Sequence, residues 1–231
     1  MTKLHLKRMA VPRTWPILRK TTPFIRRPNP GGHSYIYGMS ISTWLCEIIR
    51  VSTTAAEARK ALRSSAIMVN GRKVIDPNYI VGLFDTITIV PESKHYIILL
   101  SKRGKLNAMP IKEYDNTKLS KIKGKSKIRG AKTHYTTMEG YTIIGDDSHK
   151  AGSTIVLDMK TKPAILKTIA LEKGTEVFML HGQSIGKIGR IDELIGEECI
   201  VSFEDKTVRL PKEVMIAIEG YSPVQDTLKT R

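Results

Sequence analysis

The residues that could do covalent chemistry are few, and their surroundings argue against it. Gly182-Gln183-Ser184-Ile185-Gly186 spells the nucleophile elbow of serine hydrolases. That chemistry seats the serine on a strand–turn–helix and needs a histidine base after it in chain order. Here an alternating stretch with another glycine follows, and the last histidine, His181, precedes Ser184. A hydrolase is rejected. Gly186-Lys187-Ile188-Gly189 imitates the GxxG loop of KH domains, but its flanks alternate as strands where helices belong. Histidines 5, 33, 95, 134, 149 and 181 form no pair at metal-ligand spacing with one another or with Cys46 and Cys199. Cys46 lies in an apolar helical pattern and reads as a small core hydrophobe. Neither a Walker loop nor a dinucleotide fingerprint is present. The expectation is no catalytic residue, no metal, no cofactor and no small-molecule substrate.

The remaining chemistry is cationic. The 231 residues carry a net charge of +16, which predicts an acidic polymer or surface as partner. Residues 1–33 hold eight Lys/Arg and no acid, and residues 101–134 hold eleven against two, while residues 135–231 are net −3. Two segments therefore carry the whole excess, as expected of a polyanion docked on one side. The candidate phosphate-binding residues of the first segment are Lys7, Arg8, Arg13, Arg19, Lys20, Arg26 and Arg27. Those of the second are Lys102, Arg103, Lys105, Lys121, Lys123, Lys125, Lys127, Arg129 and Lys132. No apolar run approaches the roughly 18 residues of a spanning helix, so no membrane is expected. The N-terminus lacks the apolar stretch of a secretory signal, and two distant cysteines fit a reducing cytoplasm.

The elements that would position these cations follow from the pattern. Prolines 12, 16, 23, 28 and 30 forbid a continuous helix over residues 1–37, which read as an extended arm ordered only against a partner. A mitochondrial transit peptide is also Arg-rich and acid-poor, but it needs an amphipathic helix and plentiful serine. Trp15 can stack on a base or anchor the arm in a protein groove. Trp44, Leu45, Ile48 and Ile49 predict a helix over 39–50. Thr54-Ala55-Ala56-Glu57 is a capping box opening a second helix over about 55–65, with Ala58, Ala61 and Leu62 inward. Ile67-Met68-Val69, Asn70-Gly71 and Arg72-Lys73-Val74 predict strand, tight turn and strand, and residues 86–90 a further strand. Residues 95–100 and 106–111 flank a basic hairpin tip. Residues 117–134, polar and punctuated by glycine, predict an extended loop. Strands are expected at 141–144, 153–159, 164–170, 175–180, 187–191, 198–203 and 206–210, the last four with the rhythm of a small barrel.

The segments TTAAEARKAL, IMVNGRKV and GLFDTITI resemble the S-four-type (alpha-L) RNA-binding module. That family places basic residues on the second helix and after the Asn-Gly turn, here Arg59, Lys60, Arg63, Arg72 and Lys73. Arg59 and Arg63, at i and i+4, share a helix face, as a phosphate groove requires and as an ordinary solvated face also allows. Residues 177–194 (VFMLHGQSIGKIGRIDEL) resemble a KOW motif, with Gly186 and Gly189 allowing a tight turn and close approach. Any tight β-turn in a barrel would share that feature. HLKRMAVPRTWPI at 5–17 and RPNPGGH at 27–33 resemble the N-terminal signature of the archaeal–eukaryotic small-subunit ribosomal proteins of the S-four-e type. SKRGK at 101–105 falls where that family has a basic hairpin. Two features depart from it. His181 stands where a glycine is common, and no basic tail follows Tyr221, a shortness that favours an archaeal source.

The resemblance covers essentially the whole chain and implies an α+β, mostly β, protein. Its order would be a basic arm (1–37), an S-four-type module (38–93), a central β domain (94–172), an SH3-like KOW barrel (173–217) and a tail (218–231). It implies a structural constituent of the small ribosomal subunit in the cytoplasm, with small-subunit rRNA and neighbouring ribosomal proteins as partners. Two alternatives stand beside it. An RNA-modifying enzyme such as a pseudouridine synthase would need a catalytic domain of ~200 residues beyond the module. A KOW-bearing transcription factor would leave the basic arm without a role.

Overall fold

Short strands joined by tight turns dominate the computed structural model, which describes residues 5–112, 114, 116–128, 132–159, 163–203 and 206–221. The chain divides into two compact units, Met1–Leu99 with Lys105–Asn116 and Leu100–Gly104 with Thr117–Arg231. The fold is mostly β with few helices, as the alternation of the sequence predicts.

In the first unit, β1 (His5–Lys7) and β2 (Phe24–Arg26) form an antiparallel ribbon. From residue 5 on, the arm therefore has pairing partners and a core within this chain, where the prolines lead to the expectation of order only against a partner. Val11, Trp15, Ile17 and Ile25 are buried, and Trp15 is 1% exposed. These apolar residues are scattered among prolines without a period, so no pattern announces them. The indole N–H of Trp15 donates to the Tyr35 carbonyl at 3.3 Å, and the two rings lie 5.4 Å apart. Trp15 is enclosed by the protein itself and presents no face to a base.

The expected helix over 39–50 is also revised. β3 (Gly38–Ser40) pairs with β6 (Ile80–Gly82), α1 spans only Ile41–Thr43, and Trp44–Ile48 winds as a wider π-helix closed by Ile49 N–H on the Trp44 carbonyl. Helix α2 (Ala55–Arg63) lies where the capping box predicts: Thr54 Oγ1 accepts from Glu57 N–H at 3.2 Å, and Glu57 accepts from the Thr53 and Thr54 N–H groups. Those bonds hold the Glu57 carboxyl below its usual range.

A five-stranded sheet follows in the order β5 (Arg72–Lys73), β4 (Ile67–Val69), β7 (Thr86–Ile89), β8 (Lys94–Leu100), β9 (Leu106–Ile111). Asn70 and Gly71 have φ of 49° and 72°, the left-handed pair an Asn-Gly turn needs. The sheet begun at residue 67 thus runs on without a break to residue 111.

The second unit holds two five-stranded antiparallel sheets. In the first, β10 (Thr117–Lys127) lies between β11 (Thr133–Thr137), itself bordered by β12 (Thr142–Gly145), and β13 (Thr154–Asp158), bordered by β14 (Ala164–Ile169). The expected loop over 117–134 is thus largely strand. Its lysines and glycine hide a central strand whose residues 118–122 are buried, with 117–121 paired to β13 and Ile122 to Thr137 of β11. Ile122, Tyr135, Ile143, Ile155, Leu157 and Met159 make the core there. The other sheet runs β18 (Thr207–Pro211), β17 (Glu198–Ser202), β16 (Ile188–Ile195), β15 (Glu176–Met179), β19 (Met215–Ala217), around Val177, Met179, Ile191, Cys199, Val201 and Met215. Ser184 lies buried in the turn between β15 and β16, with strands on both sides and no helix to make a nucleophile elbow.

Candidate nucleic-acid interface

Helix α2 turns Ala58 and Leu62 inward, which leaves Arg59, Lys60 and Arg63 exposed on the opposite side. Arg59 Nε reaches back to the Ala55 carbonyl at 3.3 Å, so its guanidinium lies along the helix. Arg72 and Lys73 are exposed on β5, the edge strand of the same unit's sheet. The turn before them is held from beneath by residues that local pattern does not reveal. Asn70 is buried, donating to Asp85 Oδ1 at 2.6 Å and accepting from Thr86 N–H at 2.9 Å. Asp85 Oδ2 accepts from Gly82 N–H at 2.9 Å and lies 2.7 Å from His33 Nε2. A Cβ on Gly71 would collide with the Asn116 side chain. Rigid backbone beneath an edge cation favours a fixed phosphate contact, since little ordering is left to be lost on binding.

The arm's seven candidates divide. Lys7, Arg13, Lys20 and Arg27 are exposed. Arg8 is buried: Nη1 donates to the Leu18 carbonyl at 2.8 Å, and Nη2 pairs with Glu47. It fastens the arm and is not available to a phosphate. Arg19 clasps the carbonyls of Met9, Val11 and Pro12, and Arg26 donates to Asn78 Oδ1 at 2.9 Å; both keep part of their surface. In the ribbon, His5 faces Arg26 and Lys7 faces Phe24, while Leu6 and Ile25 point the other way. The ribbon's outward face therefore carries His5 and Phe24, two rings that no cationic run marks. The signal was a period of two, spread over two three-residue strands.

Lys102 and Arg103 are exposed at the tip between β8 and β9, with Lys105 beyond Gly104. The tip's Leu100–Gly104 stretch lies against the turn after β15. A Cβ on Gly186 would strike the Ser101 carbonyl and come within 2.6 Å of its carbon. The close approach that glycine allows is to this chain's own backbone.

On β10, Lys123, Lys125 and Lys127 alternate outward and are exposed, as is Lys132 beyond the strand; Arg129 lies outside the described residues. Lys125 Nζ pairs with Asp147 at 2.8 Å, which raises the lysine pKa and lowers the aspartate's. Lys121 is buried. Its Nζ donates to the carbonyls of Lys212 at 2.6 Å and Met215 at 2.8 Å, and desolvation lowers its pKa to about 8. It ties β10 to the segment entering β19 and takes no part in a surface. Lys118, also buried, lies 4.9 Å over the Tyr141 ring. Burial pushes both thiols up, so neither Cys46 nor Cys199 is an activated nucleophile. Among the described residues, no group of three or more His, Cys, Asp or Glu could hold a metal, and no helix is long and apolar enough to cross a membrane.

Known proteins agree with this picture. The model of ribosomal family S4e matches residues 92–163, and that of the RS4NT (NUC023) domain matches residues 2–35. The chain is 38% identical to the small ribosomal subunit protein eS4 of Nanoarchaeum equitans, over 84% of this chain and 83% of that one. The chain belongs to the eS4 family. The eS4 protein of Methanocella arvoryzae is 33% identical over 82% of this chain and 80% of its own. The crystal structure of the 30S ribosomal protein S4e from Thermoplasma acidophilum shares the fold, with a TM-score of 0.68 over 80% of this eS4-family chain and 97% of that chain at 21% identity.

Proposed function

We propose that this chain is a structural, non-catalytic constituent of the small ribosomal subunit that holds folded rRNA through exposed cations on rigid elements. Membership of the eS4 family supports that placement, in a cytoplasmic ribosome beside neighbouring ribosomal proteins. Neither an RNA-modifying enzyme nor a transcription factor fits that membership. The observation that carries the mechanism is the division of cations. Arg8 and Lys121 are spent on internal carbonyls and a carboxylate, whereas Lys7, Arg13, Lys20 and Arg27, Arg59, Lys60 and Arg63, Arg72 and Lys73, Lys102 and Arg103, and Lys123 and Lys127 stay exposed. Arg19, Arg26, Lys105, Lys125 and Lys132 join them with part or all of their surface open. Arg129, outside the described residues, belongs with them by its place in the basic run.

Each ammonium or guanidinium that meets a phosphate displaces a condensed counterion, so affinity comes from charge and falls with salt. Arginines at Arg59, Arg63 and Arg72 can fork onto two phosphate oxygens, whereas lysines act as point charges. In this reading an S-four-type module begins at residue 38 and its sheet takes in β8 and β9, the sheet centred on β10 acts as a central β domain, and residues 173–217 act as an SH3-like KOW barrel. The capping box, the Asn-Gly turn and the glycine turn after β15 support those assignments. Sedimentation of a lysate tests the placement: the chain should travel with the small subunit and leave it at high salt. A chain found only at the top of the gradient at low salt would overturn it.

A further inference from the structure

We propose that the outward face of the β1–β2 ribbon is a stacking platform for an unpaired RNA base, an assignment that rests on the rRNA-holding role above. An antiparallel ribbon puts directly opposed residues on one side. His5, Lys7, Phe24 and Arg26 therefore share the outward face, while Leu6 and the buried Ile25 occupy the inward one. Phe24 is 50% exposed, whereas its neighbour Ile25 on the inward face is buried. The His5 and Phe24 rings meet edge to face, with centroids 4.9 Å apart and planes at 74°. An edge-on neighbour steadies the phenyl ring and leaves a ring face open to a ligand.

Charge selects the ligand. Lys7 lies directly across from Phe24, and Arg26 across from His5. No acid occurs before Glu47 in the sequence, so nothing in the arm repels a phosphate. An aromatic surface bordered by cations is the combination that holds single-stranded nucleic acid: bases stack on rings while phosphates pair with ammonium or guanidinium groups. A paired helix cannot use the ring, because its bases are already stacked. The platform therefore discriminates an unpaired base from a duplex, which the exposed cations alone do not.

The experiment uses the full chain, with two fluorescent probes: an oligoadenylate of about 12 nucleotides and an RNA duplex of the same length. Phe24→Leu keeps an apolar side chain but removes the ring. It should weaken the single strand by roughly 5- to 150-fold and leave the duplex and the salt slope unchanged. Phe24→Tyr should restore single-strand binding. Lys7→Gln should weaken both probes and flatten the slope. An unchanged melting temperature establishes that Phe24→Leu folds; if it does not, Phe24→Met, which also removes the ring, decides in its place by the same loss confined to the single strand.

Equal binding of both probes by Phe24→Leu and the parent overturns the platform, and so does an equal loss on both. If Phe24→Leu binds both RNAs as the parent does yet fails to join reconstituted small subunits, the face belongs to a protein neighbour and the platform is again wrong. In each of these cases a steep salt dependence of the parent on small-subunit rRNA would keep the electrostatic role intact. A flat dependence would remove that role itself.

Discussion

Lys121, midway along a strand of alternating lysines, donates its ammonium to the main-chain oxygen of Met215 at 2.8 Å, across 94 positions of sequence. A lysine that precedes the exposed Lys123, Lys125 and Lys127 on one strand is thus an internal fastener. Lys121→Met should leave rRNA affinity and its salt slope as in the parent, whereas Lys123→Gln, one exposed position further, should flatten the slope by about 1. A flattened slope for Lys121→Met would mean that its side chain leaves the interior to meet RNA.

The same group sets a pH dependence. Its pKa falls from 10.5 in the unfolded chain to about 8 in the fold, with desolvation as the cause. Between those values the unfolded chain binds a proton that the folded chain has released. The contribution of Lys121 to stability is therefore fully present above pH 10.5 and lost as pH falls through 8. Relative to Lys121→Met, the parent should gain stability from pH 7.5 to pH 10 in paired denaturant titrations, at about the pH values that bracket the shift. A constant difference would contradict the buried, desolvated state.

Trp15 makes the folded arm testable. Its indole is fully buried, and removal to alanine should cost about 3–5 kcal/mol, read as a lower denaturation midpoint. Backbone amides with internal partners, such as Arg8 N–H on the Pro23 carbonyl at 2.9 Å, should exchange slowly in the free protein. Rapid exchange through the arm together with a harmless Trp15→Ala would return the arm to the disordered state that its prolines suggest.

The glycines after β15 are not equivalent. Gly186 and Gly182 both have positive φ, at 71° and 86°. A Cβ at Gly186 meets the Ser101 backbone, whereas one at Gly182 meets open space. Gly182→Ala should cost only the backbone strain, about 1 kcal/mol, and Gly186→Ala clearly more, by thermal melting. Equal costs would show that Ser101 can move aside.

What the sequence made legible was local. The Thr54–Glu57 box and the Asn70-Gly71 turn are complete within four residues, and both appear where their chemistry puts them. Glu47, which pairs with Arg8, and Met215, which accepts from Lys121, stand 39 and 94 positions away, and no local window of residues contains them. The strand Thr117–Lys127 was hidden for a related reason: its polar composition resembles a loop until β13 and β11 are paired to it. Trp44 to Ile48 had the apolar spacing of a helix, but pairing of Gly38–Ser40 with Ile80–Gly82 takes the start of that segment into a strand. Side-chain type marks every cation; which of them face solvent depends on tertiary partners.

The central claim is that exposed cations hold rRNA by displacing counterions, and the salt dependence of binding tests it most directly. Arg59, Arg63, Arg72 and Lys73 are changed together to glutamine, which keeps polarity and approximate length. Surface changes of this kind alter stability by within about 0.5 kcal/mol each, so the variant should melt close to the parent. Its affinity for small-subunit rRNA should fall, and the slope of log affinity against log salt should become shallower by about 3 to 4. A variant that binds as tightly as the parent, with the same slope, would contradict the account and leave these four charges as a solvated face.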